Sequence, residues 1–462
     1  MSIQTIIIGI IAFSFLIFIH ELGHFTVAKL CKIRVNEFSL FMGPKLFSFK
    51  KGETEYSLRL VPIGGYVKME GEEENSDDER AYNRKPVWQR FLVIAAGPIM
   101  NIVVAILLIF LVYINGGYGI NKVYDVQPQS PAAVAGIEKG DVIIGYDGKA
   151  INNPQDYLLL SYTNKGEDVK IKFKKANGSI KETSLKPNLT GYVIGIETNS
   201  LNDESSLKIT NLAVAYPADL AGLKVDDVIV GADNIKFRNL SEFKKFMMNN
   251  KNNKFTLNIV RKSVGNDTIN IEITPKEQKN TNSSSLGFEF DQYAYSPWAA
   301  SQINELAAKD TKIKPYVSDS QWNPGEIVKD SVLYSYSIAR SVAYSLKWLF
   351  TGVVKTSELS GPVGIVSLIG KTVQQDTVFW WIKIFGLIQI TAFISINVGI
   401  FNLIPFPALD GSKLVILIVE KIRRKPLTPE KEATISLIGL AILMLLVIYA
   451  TYNDIVKGIF GG

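Results

Sequence analysis

Four stretches of this chain carry no charged side chain for long enough to cross a bilayer: residues 1–20, 91–121, 384–409 and 433–453. A helix needs roughly 20 apolar residues to span the hydrocarbon core, where every backbone polar group must be satisfied internally. The first stretch ends in the chemistry. The two histidines of the 462-residue chain, His20 and His24, stand four apart with Glu21 between them. Chance yields such a motif about two times in ten thousand. Imidazoles at i and i+4 share one helical face and suit a divalent metal such as zinc. Glu21 lies about 100° around the helix from His20, beside such a metal without ligating it. Ionisable groups inside an apolar helix are costly and functional by default, so these residues point to a zinc hydrolase chemistry placed inside a membrane.

The spacing predicts a polytopic α-helical membrane protein with four transmembrane helices and a soluble-looking insert between the second and third. Twelve basic residues from Lys29 to Arg90 lie between spans one and two, and six from Lys413 to Lys431 between spans three and four. Both loops are therefore expected to be cytoplasmic, with the insert and both termini on the other side. The first span lacks the basic start and small-residue cleavage pattern of a signal peptide, so it is expected to stay. The net charge of +6 is mostly this topology signal. No continuous basic patch argues for a nucleic-acid partner. Cys31 is alone, so neither a disulfide framework nor a cysteine-rich metal site is expected.

A catalytic zinc takes three protein ligands and leaves one position open. With both histidines used, the third must be Asp, Glu or Cys. Asp410 is the one aspartate at the edge of an apolar span with turn residues around it, in Asn402-Leu403-Ile404-Pro405-Phe406-Pro407-Ala408-Leu409-Asp410-Gly411. Two prolines prevent a regular helix there, so span three should break near Pro405 and return Asp410 to the histidines. A solvated aspartate in a helix-ending loop is the plainer alternative. Glu21 is the expected general base, taking a proton from water and passing it to the leaving amine; pairing with a basic loop residue is its alternative. Asn101 and Asn402 are polar residues at this depth and could donate to an oxyanion or clamp unwound substrate. Asn397 is also available. Hydrogen bonds between helices would explain each asparagine equally well.

These residues match a family pattern. His20-Glu21-Leu22-Gly23-His24, Gly97-Pro98…Asn101, Leu359-Ser360-Gly361-Pro362-Val363 and Asn402…Pro405-x-Pro407-x-Leu409-Asp410-Gly411 resemble the bacterial RseP/RasP-type site-2 proteases, in order and spacing over essentially the whole chain. The resemblance implies an intramembrane zinc metalloendopeptidase of regulated intramembrane proteolysis, with one Zn2+ on His20, His24 and Asp410, Glu21 as base, and Asn402 holding substrate. Its expected partners are the lipid bilayer and single-span membrane proteins, such as pre-cleaved anti-sigma factors or remnant signal peptides. The expected location is a bacterial inner or plasma membrane, with the site near the cytoplasmic side. One departure is visible: the family often reads Leu-Asp-Gly-Gly-His, whereas Ser412-Lys413 follow Gly411 here.

Alternation in 46–50 and 56–60 around Lys51-Gly52-Glu53 predicts a β-hairpin, and Gly64 and Gly65 allow close backbone approach beyond it. A transmembrane helix must unwind before it can be cut, and a strand edge can capture the unwound segment. The resemblance implies such a membrane-associated hairpin; an ordinary cytoplasmic hairpin is the alternative. The acidic run 70–80 reads as a solvated, mobile loop.

The insert repeats itself. Shifting by 86 residues aligns 131–147 with 217–233, and Pro, Ala, Ala, Gly, Asp, Val, Ile, Gly and Asp recur. The pattern resembles PDZ domains, mixed α/β modules that bind extended peptides and often C-termini. Candidate carboxylate-binding backbones are 118–120 and 193–196, and Asp226 in place of glycine is expected to alter the second copy's turn. Size exclusion of bulky ectodomains with some peptide sensing is the favoured role. The division is then 1–30, the first transmembrane helix; 31–87, the loop with the hairpin; 88–117, the second helix; 118–190 and 191–276, two extracytoplasmic PDZ domains; 277–330, a linker; 331–375, an amphipathic membrane-surface helix region; 376–411, the broken third helix; 412–432, a cytoplasmic loop; and 433–455, the fourth helix. A non-catalytic PDZ scaffold would leave the histidine motif and Asp410 unexplained. An ion transporter would predict inverted repeats among the spans, and none is visible.

Overall fold

The apolar run that carries the histidines forms one helix, Ile3–Leu30, in the computed structural model of the chain. Residues 3–460 are described, except 73, 75, 127–129, 165, 189, 199–206, 214–215, 239, 251, 262–267, 280–285, 287, 291–292, 310–322, 355–360 and 375–379. Among them, four helices are long and apolar enough to cross a membrane: Thr5–Leu30, Val87–Asn115, Trp380–Leu403 and Glu430–Val456. The chain separates into two units, residues 1–114 with 324–462, and residues 115–323.

In the first unit, the histidine helix closes with a Schellman turn. Ile33 N–H reaches Ala28 O at 2.9 Å, Lys32 N–H reaches Lys29 O at 3.0 Å, and Lys32 takes a left-handed φ of 56°. Burial of Ile33 against Ala28 completes it. The chain then enters two long antiparallel strands, Val35–Lys51 and Thr54–Met69. The pairing is doubled: Phe38 faces both Val67 and Tyr56, and Leu40 faces both Gly65 and Leu58. The strands therefore fold back into a four-segment sheet whose outer segments are 45–51 and 65–69. Its inner face packs on the histidine helix through Phe38, Val67 and Met69 against Ala28, Phe18 and Phe25. Leu46, Phe47 and Phe49 of the far segment stay exposed. The acidic run that follows is partly paired. Arg34 meets Asp78 at 3.2 Å, Asn36 and Ser76 hydroxyl donate to Glu70, and Lys413 reaches Glu72 at 3.2 Å. Arg34 and Lys413 come from elsewhere in the chain, so local composition could not reveal them, while Asp77 pairs with nearby Arg84; Glu73 and Asn75 lie outside the described residues.

Glycines let the apolar helices approach closely. A methyl group on Gly23 would stand 2.4 Å from Ala96 O, and one on Gly399 would stand 2.8 Å from Pro98 O. Helix Val87–Asn115 is thus gripped from both sides near Pro98, which itself removes one intrahelical bond. Helix Ile327–Phe350 packs beside helix Trp380–Leu403, where Gln389 amide donates to Tyr334 hydroxyl at 2.9 Å. Helix Pro362–Gln374 follows, its N-terminus capped by Asp454 of the last helix, Pro429–Phe460, which accepts from Gly361 and Gly364 amides at 2.9 and 2.7 Å. Leu359 and Ser360 of the quoted motif lie outside the described residues.

The second unit carries the duplication into three dimensions. Helices Pro131–Val134 and Pro217–Leu220, strands Val142–Tyr146 and Val228–Ala232, and strands Val169–Lys174 and Phe255–Val260 are each 86 residues apart. The register repeats too: Ile143 faces Phe173 as Ile229 faces Ile259. Buried Asp141 accepts from Glu138 N–H and pairs with Lys175, as buried Asp227 accepts from Lys224 N–H and pairs with Arg261. The expected difference at Asp226 is absent. Its φ of 76° matches the 94° of Gly140, and both amides donate to the equivalent carbonyl, Ile209 or Val123. Lys208 pairs with the Asp226 carboxylate at 2.6 Å.

One strand breaks the sequence order. Ala218 N–H donates to Ile194 O in the second copy, but Ala132 N–H in the first copy donates to Leu286 O. Phe288–Glu289 then pairs with Asp125–Val126, and Tyr157 packs on Phe288 and Phe290 at ring separations of 5.0 and 5.5 Å. The first copy is completed by chain that follows the second. Residues 118–120 therefore do not occupy the place of 193–196; Tyr118 and Gly119 pair instead with Ala294 and Tyr293.

Candidate metal centre

The site forms where the histidine helix meets Gly97 of helix Val87–Asn115 and the start of helix Asp410–Arg423. His20 Nε2 lies 3.0 Å from Asp410 Oδ2, His24 Nε2 lies 3.4 Å from the same oxygen, and the two Nε2 atoms are 3.1 Å apart. Ligand atoms 2.0–2.1 Å from a tetrahedral zinc stand roughly 3.3 Å from one another, so the spacing fits. A second observation agrees: Asp410 Oδ2 is buried with both imidazole nitrogens turned towards it, a convergence of donor atoms that a bound cation would hold together. His24 Nδ1–H donates to Val93 O at 2.8 Å, leaving the Nε2 lone pair turned inward.

Asp410 reaches this point because the preceding helix stops. Helix Trp380–Leu403 ends two residues before Pro405, and Ala408 takes a left-handed φ of 77°. Helix Asp410–Arg423 then begins, docked on Ile94 and Ala95 through Leu414 and Leu417. The largely buried ion pair of Arg90 with Glu420 fastens its far end. Asp410 and the histidines are thereby tied to the same helix.

Glu21 is partly buried and within electrostatic reach of both histidines, Asp410 and Glu72. Sheet segment 65–69 lies beside it: a methyl on Gly65 would stand 3.2 Å from Glu21 Cγ. Gly64 takes φ of 75° under the Met42 side chain. The asparagines divide. Asn101 is fully buried, with its amide 3.3 Å from His20 Nδ1. Asn402 sits near the end of its helix, and among the described residues no hydrogen bond joins it to the histidines, Glu21 or Asp410. Asn397 donates to Phe393 O within its own helix.

Two contributors carry no donor atom that sequence reading could weigh. Gly97 lies against the imidazoles, where a methyl would stand 2.3 Å from His24 Nε2 and 2.9 Å from His20 Nε2. Val93 contributes only its carbonyl. The signal for Gly97 was a small residue within an apolar helix, which marks close helix packing rather than chemistry.

Metal-binding donors and a carboxylate beside them, held among apolar helices, are what a peptidase working within a membrane requires. The chain belongs to peptidase family M50, whose profile matches residues 8–446. It is 30% identical to the regulator of sigma-W protease RasP of Bacillus subtilis over 477 aligned positions, covering 98% of this chain and 99% of that one. It is also 30% identical to the regulator of sigma-E protease RseP of Salmonella typhimurium over 466 positions, covering 96% and 97%. The chain is a metalloendopeptidase of the site-2 protease family.

Proposed function

We propose that this chain holds one zinc ion on His20, His24 and Asp410 and cuts the transmembrane segments of single-span membrane proteins, such as pre-cleaved anti-sigma factors or remnant signal peptides. The three donor atoms at tetrahedral-edge distances, next to a free-standing Glu21, carry this reading. When bound, zinc supplies a Lewis acid that acidifies water to near neutrality and polarises the scissile carbonyl. Glu21 takes the proton of the attacking water and delivers it to the leaving amine. Sheet segment 65–69 receives the unwound substrate as an added strand beside Glu21, because Gly65 brings that backbone against the base. Asn402 holds the substrate further along. The basic loops face the cytoplasm and place the site near that side. The duplicated insert is a pair of PDZ domains outside it, which exclude bulky ectodomains and sense peptide C-termini.

The test is Glu21→Gln in purified full-length protein. We expect one zinc per chain as in wild type, with cleavage of a single-span substrate reduced by at least about a thousandfold. Wild-type protein without zinc, or a variant as active as wild type, would refute the reading.

A further inference from the structure

We propose that Asn101 is a positioning residue for the metal, its carboxamide oxygen accepting a hydrogen bond from His20 Nδ1–H while Nε2 binds the ion. This rests on His20 being a ligand. Asn101 is 0% exposed, so it faces protein and not a substrate strand. An imidazole that binds metal through Nε2 carries its proton on Nδ1 and needs an acceptor there. Asn101 stands 3.3 Å from that atom through Nδ2, an orientation that suits a proton on Nε2 instead. In the same orientation Asn101 Oδ1 is buried without a partner. A half-turn of the amide removes both faults: Oδ1 meets Nδ1–H, and the buried acceptor is satisfied.

The backbone that presents this amide is itself clamped. Ser395 hydroxyl, fully buried on helix Trp380–Leu403, donates to Asn101 O at 2.8 Å. Gly399, one turn along, admits Asn101 Cβ at 3.5 Å from where its own Cβ would stand. The third apolar helix thus orients a ligand of the first through a residue of the second. The two histidines are unequal in consequence. His24 donates to Val93 O, an acceptor that cannot change, whereas the partner of His20 can turn with the state of the ring.

The experiment compares zinc affinity by chelator competition in full-length wild type, Asn101→Asp and Asn101→Leu. Asp preserves the acceptor and removes the donor; Leu removes both at similar volume. We expect Leu to weaken zinc about 10–100-fold and Asp to stay within about threefold of wild type. Leu binding like wild type, or Asp binding as weakly as Leu, overturns the proposal. Should Leu fail to fold, the ¹⁵N-histidine spectrum of zinc-loaded wild type decides without a variant, since the chain has two imidazoles. Nδ1-protonated His20 supports the proposal, and a His20 that keeps its proton on Nε2 overturns it. Wild type that binds no zinc defeats the ligand assignment itself, a distinguishable result.

Discussion

A single methyl group on Gly97 would stand 2.3 Å from His24 Nε2, closer than any real Cβ contact. The glycine is therefore part of the candidate metal centre although it has no side chain. Gly97→Ala must displace either the imidazole or the helix, and the donor spacing has little slack. We expect zinc affinity to fall by about tenfold or more, with the helix content unchanged. Metal analysis after dialysis and far-UV circular dichroism check the two halves of that statement.

Gly65 offers a graded test of the sheet edge. A Cβ there meets Ser39 O at 3.0 Å and Glu21 Cγ and Ile17 Cγ2 at 3.2 Å, so Ala needs a shift of a few tenths of an ångström. Val would press on Glu21 directly. Gly65→Ala should cost less than about tenfold in cleavage rate, and Gly65→Val about a hundredfold, since ångström-scale misplacement has that effect. Zinc content should stay at the wild-type level in both.

The hairpin tip should respond to acid. The Lys29 ammonium holds the Glu53 carboxyl below the usual carboxylate range, with Arg80 adding to it, at contact distances of 2.9 and 2.8 Å. A folded-state value below the unfolded one means that the stabilisation is full above the ordinary carboxylate range and lost as pH falls through the folded value. Wild type should therefore melt above Glu53→Gln at pH 7, by at most about 1 kcal/mol for so exposed a pair. The gap should close towards pH 3. A gap that widens on acidification would contradict the assignment.

Much of the site was legible because the relevant residues are scarce. Two histidines left one plausible carboxylate, and prolines marked where the helix carrying it would stop. The duplication was legible because the turn residues Asp147 and Asp233, with φ of 47° and 46°, recur at fixed spacing. Other features had no local signature. The cations that order the acidic run include Arg34 and Lys413, far away in sequence. The strand at 288–289 is too short to show alternation and does not follow the 86-residue shift. The role of Gly97 and the carbonyl of Val93 depends on which helices cross, which periodicity cannot say.

The strand supplied by Phe288–Glu289 sets an order of events during synthesis. The first copy leaves the ribosome early but stays open until its last strand has been made, whereas the second copy has all its strands as soon as residue 279 is out. The later-made copy can fold first, as a finished body inside an unfinished one. Excising 118–190 as a separate piece would leave that domain without an edge, while 190–279 can be taken out whole.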